Sequence, residues 1–292
     1  MLSLRTVLEQ AQAGRRAVGH FNVADLVLLK AVFEAARDLD TPVIVGASEG
    51  EREFMGTRQI AALVQSLREE YEFPIFLNAD HTHSLAKAME ATQAGFDMVV
   101  FDLSHLPFEQ NVRETRQAVA SLKSINPSMI VEGEIGDIGS GSEIHDRAPD
   151  LSRGLTTPEE AAEFVKATGV DVLAPAVGNM HGMLRSMVSG ATRKRLDIPR
   201  IREIRQAAGT FLTLHGGSGT EDGDFRAAIQ AGITVVHVNT ELRLAWRRGL
   251  EQSLAAKPDE VSPYKILPEA VEQVRRVVRA RLQLFTGQAA TA

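Results

Sequence analysis

The chain of 292 residues contains no cysteine. Disulfides, thiolate catalysis and cysteine-held metals are therefore excluded, and any metal must rest on carboxylates and the eight histidines. A strong charge of either sign is also missing. Lys plus Arg number 32 against 38 Asp plus Glu, a net charge of −6. So mild an acidity leaves no electrostatic footprint for nucleic acid or an anionic membrane. No apolar run approaches the roughly 18 residues of a membrane span. The start, Met1-Leu2-Ser3-Leu4-Arg5, lacks the basic-then-apolar layout of a secretion signal. A cytoplasmic protein with no membrane or nucleic-acid partner is expected. What is present suits a soluble enzyme with a large core: 44% hydrophobic and 24% charged residues. A disordered chain would be less apolar and more one-sided in charge.

Short apolar, β-branched runs alternate with longer amphipathic stretches. The runs cover 17–23, 42–47, 74–80, 97–102, 129–136, 170–177, 210–215 and 233–239. Helix-like segments follow them at 26–39, 58–70, 85–94, 109–123, 159–168, 198–208, 224–231 and 242–254. Thr157-Pro158-Glu159-Glu160 is a helix start, with an N-cap hydroxyl, Pro at the first position and acids near the positive dipole end. Gly95 and Gly232 are helix stops before the next strand. Eight strand–helix units predict an α/β fold, a (β/α)8 TIM barrel. The expected organisation is one barrel domain over 1–292, with 263–286 as a C-terminal helical extension that closes the barrel or joins a neighbouring subunit. The competing doubly wound sheet lacks its signature, since no G-x-G-x-x-G follows the first run.

Barrel enzymes carry their chemistry at the C-terminal ends of the strands. The eight runs end in Asn22, Ser48, Asp80-His81, Asp102, Glu132 and Glu134, Asn179 and His181, His215, and His237 with Asn239 and Thr240. A structural protein would have no reason to gather such groups on one face. His81, His181 and His215 could give three neutral imidazoles to one divalent ion, the pattern of a catalytic zinc with an open position. They are separated by 100 and 34 residues, so only barrel geometry would bring them together. Asp80 beside them could orient a ligand or act as a general acid or base. His83 is read as a cap of the following helix at Ser84, with a fourth metal ligand as the alternative that the His81-Thr82-His83 pair offers, and His20, His105 and His145 as structural or surface residues. After the seventh run, His215-Gly216-Gly217-Ser218-Gly219 lets backbone N–H groups approach an oxyanion, and a helix starting near Thr240 adds its dipole. That is the usual barrel phosphate position, although glycine also serves tight turns. The long connection 136–153 reads as a mobile lid carrying Glu143, either a carboxylate that swings over substrate or a solvated loop acid. A second connection, 182–196, carries Arg185, Arg193, Lys194 and Arg195 beside the phosphate position.

Ordered segments carry a resemblance from about Ala17 to Thr240. They include Val18-Gly19-His20-Phe21-Asn22-Val23, Ala47-Ser48-Glu49-Gly50, Asp80-His81 and Ser104-His105-Leu106-Pro107-Phe108-Glu109. Val131-Glu132-Gly133-Glu134-Ile135-Gly136, Gly178-Asn179-Met180-His181-Gly182 and Leu214-His215-Gly216-Gly217-Ser218 continue them. Together they resemble the class II, zinc-dependent fructose-bisphosphate and tagatose-bisphosphate aldolases. The resemblance implies reversible cleavage of a ketose phosphate, such as fructose 1,6-bisphosphate, into dihydroxyacetone phosphate and an aldehyde. It implies a zinc on His81, His181 and His215, with Asp102 and Glu134 near an alternative metal position. Asp80 would exchange a proton with the aldehyde oxygen, and Glu143 would move the substrate's C–H proton. Gly182, Gly216, Ser218 and Thr240 match the phosphate set, and Asn22, Ser48, Arg185, Gly217, His237 and Asn239 complete the expected substrate site. Members of the family also bind a monovalent cation, Na+ or K+, near that phosphate and form homodimers or homotetramers. No strand run contains the lysine that a Schiff-base aldolase needs.

The chain departs from the family pattern at several places. His237 stands where an Asn is usual, Thr82 and Leu103 replace glycines, and Arg185 lies where a phosphate-contacting Lys is expected. His237 is expected to face the substrate pocket, not the barrel core, and to shape the choice of ketose phosphate. Two other readings stay open. One is a metal-dependent barrel hydrolase, suggested by His81-Thr82-His83, and the other is a noncatalytic sugar-phosphate binder.

Overall fold

The computed structural model describes residues 2–139, 141–147 and 154–288. Helix α1 (Leu4–Ala13) precedes β1 (Val18–Asn22), and α2 (Leu26–Asp38) leads to β2 (Val43–Ala47). Two helices follow, α3 (Glu49–Met55) and α4 (Thr57–Tyr71), then β3 (Ile75–Thr82), α5 (Leu85–Ala94) and β4 (Met98–Phe101). Next come α6 (Phe108–Ile125), β5 (Ile130–Ile135), the tiny strand β6 (Ile144–His145), α7 (Pro158–Thr168) and β7 (Val172–Pro175). A second tiny strand, β8 (Met183–Leu184), runs into α8 (Arg185–Val188), α9 (Ile198–Ala208), β9 (Phe211–Leu214), α10 (Asp222–Ala231) and β10 (Ile233–Val238). Helices α11 (Thr240–Ala256), α12 (Pro263–Ile266) and α13 (Pro268–Thr286) end the chain's ordered elements.

Eight strands close into a parallel barrel in the order β1-β2-β3-β4-β5-β7-β9-β10, with β10 paired back to β1. The fold is the (β/α)8 barrel that the strand–helix alternation predicts. Local chemistry sets its helix ends. Thr157 caps α7 reciprocally with Glu160, and Gly169 ends it in the left-handed region. Ser84, not His83, caps α5, which corrects the reading of His83. Beyond the alternation, the fold adds α1, α3, α8 and the separate β6–β8 pair. Helix α13 packs against α2, α11 and β1, and buries Val274, Val278, Leu282 and Phe285 there.

Period-2 alternation builds the barrel interior in layers. At the N-terminal end each strand contributes one apolar residue: Val18, Ile44, Phe76, Met98, Ile130, Val172, Phe211 and Val235. Leu4, Val7 and Leu8 of α1 pack on this layer and plug the bottom. The residues of opposite phase, such as Phe21, Val45, Leu77 and Val131, face the helices in the larger core. Two residues up the interior phase the chemistry turns polar, with His20, Asn78, Glu132, Thr213 and His237 all buried. Gly46 makes room in that layer, because a Cβ there would sit 2.1 Å from the His20 ring. One more step brings the chain to the mouth.

Candidate active site

At the end of β3 the pairing with β4 shifts register between Ala79 and Thr82, and His81 takes a φ of 37°. A non-glycine residue there is strained, which a packed functional site can sustain. The break turns both Asp80 and His81 into the mouth. The His81 ring lies 4.7 Å from that of His181 and 4.9 Å from that of His215, centroid to centroid. Glu134 joins them, and one ligand-type atom from each of the four falls within 4.8 Å of every other.

Hydrogen bonds fix the rings from behind. His81 Nδ1 lies 2.8 Å from Asp102 Oδ2, and His215 Nε2 lies 2.6 Å from Glu132 Oε1. Thr213 donates to the other Glu132 oxygen at 2.7 Å. Such carboxylate–imidazole pairs orient a ligand ring and raise its basicity. Three buried atoms aimed at the shared space are left short of partners: His181 Nε2 has none, and His215 Nδ1 and Glu134 Oε2 have only each other, 3.0 Å apart. Unpartnered buried donors and acceptors are costly in a protein interior, and a divalent ion would satisfy all three. The donor set therefore fits a metal.

Electrostatics separate the histidines. Burial works against a charged His81, but Asp80 and then Asp102 raise it to about 9. Burial likewise opposes charge on His215, and Glu132 outweighs it, holding His215 well above the usual range. His181 has no such carboxylate, and burial with the neighbouring His81 holds it well below. Asp80 is held well below the ordinary carboxylate range, because His81 more than offsets its burial.

Around Asp80 the strand ends interlock. Asn22 donates to Asp80 at 2.8 Å and to Glu51 at 2.9 Å. Glu51 also accepts from the Ser48 N–H at 2.8 Å and from Arg243 at 2.7 Å. Arg52 is buried and donates to the carbonyls of Ala47 and Asp80 and to Thr82, tying β2 to β3. His237 Nδ1 lies 3.3 Å from Asp80 Oδ1. Its ring stacks on His20 at 3.5 Å and on His215 at 4.1 Å. His237 lines the cleft, and its other face rests on the barrel interior, so it belongs to both and not to the pocket alone. His20 belongs to that interior, where Asn78 donates to its Nε2 at 3.0 Å.

Two adjoining clefts share Asp80, His81, Ser142, His181 and Asn239. One is walled by Gly182, Gly216, Ser218, Asn239 and Thr240, where α11 begins. The other is lined by Ser48, Asp102, Glu143 and Arg243. Gly217 is absent from both walls; its N–H donates to the His237 carbonyl at 3.0 Å, so it supports the turn. Arg185 is not brought to the site either. Its side chain is 72% exposed and pairs with Asp146, because α8 turns it outward. The loop 136–153 passes over the second cleft through Gly139, Gly141, Ser142 and Glu143, whereas Ser140 and 148–153 lie outside the described residues. The Glu143 carbonyl accepts from Met183 N at 2.9 Å, within the β6–β8 pair.

Three contributors escaped the sequence reading: Glu51, Arg52, and Glu132 as a partner of His215; Lys194 was read only as one of a basic run beside the phosphate position. Ser48-x-x-Glu51 is a visible helix-start signature. Nothing local distinguishes Lys194 from the arginines beside it.

The family model described as fructose-bisphosphate aldolase class-II matches residues 2–289. A fructose-bisphosphate aldolase of Thermus caldophilus is 33% identical over 300 aligned positions, covering 96% of each chain. One from Geobacillus stearothermophilus is 34% identical over 297 positions, covering 99% of each. Among solved structures, the YdjI aldolase of Escherichia coli superposes with a TM-score of 0.80 at 26% identity, over 98% of this chain and 97% of that one. Aldolases are lyases, and the class is generally metal-dependent, as the cluster of His81, Glu134, His181 and His215 allows. With the match running from one end of the barrel to the other, the chain belongs to the class II fructose-bisphosphate aldolase family.

Proposed function

We propose that the protein is a zinc-dependent aldolase that reversibly cleaves a ketose bisphosphate, with fructose 1,6-bisphosphate as the leading substrate, into dihydroxyacetone phosphate and glyceraldehyde 3-phosphate. The observation that carries this reading is the convergence of His81, His181 and His215 around one space, with the buried Nε2 of His181 unpartnered in it. These three would hold the zinc, with Glu134 and Asp102 at an alternative metal position. A bound zinc would supply the Lewis acidity that stabilises the negative charge left on the dihydroxyacetone phosphate half.

The chain's own residues do the rest. Asp80, ionised and aligned by Asn22, takes the hydroxyl proton as the carbon–carbon bond breaks and the aldehyde carbonyl forms. The bonding electron pair stays on the carbon of the dihydroxyacetone phosphate half, and a proton from Glu143 completes that product. Gly182, Gly216, Ser218 and Thr240 hold the phosphate with backbone N–H groups, a hydroxyl and the N-terminus of α11. Fructose and tagatose bisphosphates differ in configuration at the carbon whose hydroxyl Asp80 would deprotonate. His237 lies beside that group, so the tagatose isomer is the second substrate to test.

The test is a panel of ketose bisphosphates and monophosphates on zinc-loaded enzyme, before and after EDTA. Cleavage of a bisphosphate should fall by about 10³-fold or more on chelation and return with zinc. One zinc per chain is expected, and His181→Ala should not retain it. Turnover indifferent to EDTA, or no ketose phosphate cleaved by zinc-loaded enzyme, would sink the proposal.

A further inference from the structure

Lys194 is 3% exposed, although the arginines on either side of it in sequence reach solvent. Its ammonium donates to three backbone carbonyls: Met180 at 2.7 Å, Gly182 at 2.6 Å and Gly216 at 2.8 Å. A lysine ammonium has three donors, so all are spent on carbonyls. A neutral amine has only two N–H bonds and would turn its lone pair on the third oxygen. Among the described residues no carboxylate pairs with it. Burial pulls Lys194 down to about 7 against the pull of Glu241, which is itself engaged by Arg281 and by the N–H of Gly219; the three carbonyl contacts are those of the charged form.

The carbonyls converge because glycine permits it. Gly182 and Gly216 have φ of +69° and +59°, and a Cβ on Gly216 would sit 2.1 Å from the Met180 oxygen. Three carbonyl oxygens gathered around one buried point form a cage that is costly unless a cation fills it. An ammonium and a potassium ion are of similar size and take similar oxygen distances. Gly182 and Gly216 are also two residues of the glycine wall of the cleft. The ammonium therefore stands directly behind that wall.

We infer that Lys194 is a built-in monovalent cation, a positioning residue whose charge and carbonyl contacts set the glycine wall to bind the substrate's phosphate. The inference rests on reading that wall as the phosphate site. It makes the protein independent of the Na+ or K+ that its family resemblance leads one to expect from solution.

The test compares wild type with Lys194→Met in potassium, ammonium and tetramethylammonium chloride at equal ionic strength. Inorganic phosphate affinity and thermal midpoint are the readouts, and neither needs turnover. Wild type should behave alike in all three salts. The variant should lose at least about tenfold in phosphate affinity in tetramethylammonium, and recover affinity and melting temperature in potassium or ammonium, which fit the vacated cage. A merely structural lysine would not give that ion selectivity. Equal weakening of the variant in every salt overturns the inference, as does potassium-stimulated phosphate binding by wild type. Should Lys194→Met fold in none of the salts, Lys194→Gln takes its place and the wild-type comparison still decides. The ketose assay on wild type fails separately if only the aldolase reading is wrong.

Discussion

At the N-terminal end of the barrel, the inward phase of the strands reads Val18, Ile44, Phe76, Met98, Ile130, Val172, Phe211 and Val235. At the C-terminal end, four residues further along several of the same strands, it reads Asn22, Asp80, Asp102, Glu134, His215 and Asn239. The backbone is alike at both ends, so the chemistry is decided by which side chains the alternation delivers at each height. Apolar residues at the bottom are closed over by α1 and need no partner. Polar residues at the top must be satisfied, and they are satisfied incompletely: His181 Nε2 has no partner, and His215 Nδ1 and Glu134 Oε2 have only each other. Stability is concentrated at one end and chemistry at the other, with a buried polar layer between them.

Mutations can break that division. The largest effect is expected at Asp80. Asp80→Ala should lower kcat by about 10²–10⁴-fold with KM and zinc content little changed, measured by steady-state kinetics and metal analysis. Near-normal turnover would reduce Asp80 to orienting His81. At the opposite end, Phe76→Ala should cost about 3–5 kcal/mol of stability, read by denaturant unfolding. Metal content and KM should stay as in wild type, and a loss of zinc in this variant would mean that the two ends are not independent.

The layer between them should show an intermediate behaviour. Glu132→Gln leaves the shape but removes the charge that faces His215. Zinc affinity should weaken about 10–100-fold in competition with a chelator, and unchanged affinity would make Glu132 only a partner of Thr213. The smallest effect concerns His237. His237→Asn should change the ratio of kcat/KM between fructose and tagatose bisphosphates by about tenfold, the scale of a small change in pocket contacts. If the ratio holds and zinc is lost, His237 is a ligand and the three-histidine assignment is wrong.

Much of this was legible along the chain because barrel strands are short, apolar and bounded by helix signals. Asp97–Asp102 announced β4, and Ala94-Gly95 announced the end of α5, since both patterns act within a few residues. The polar residues that line the candidate clefts were legible for a related reason: a polar group ending an apolar run has no packing role at that place. The small elements were not, because α3 and α8 are too short to show a helical period and the β6–β8 pair spans only two residues on each side.

The amino-acid order by itself determined the barrel, its inward and outward phases, and the presence of histidines and acids at the strand ends, because these follow from local periodicity and capping. Tertiary structure decided how they meet. It joined His215 to Glu132 on one side and left its other nitrogen aimed at His81 and Glu134. It sent Arg185 to solvent and Lys194 into a carbonyl cage, although the two lie in one basic stretch. That choice depends on where Gly182 and Gly216, which end different segments of the chain, bring their backbones together. Contacts of that kind carry no local signature, because their energy exists only after the barrel has closed.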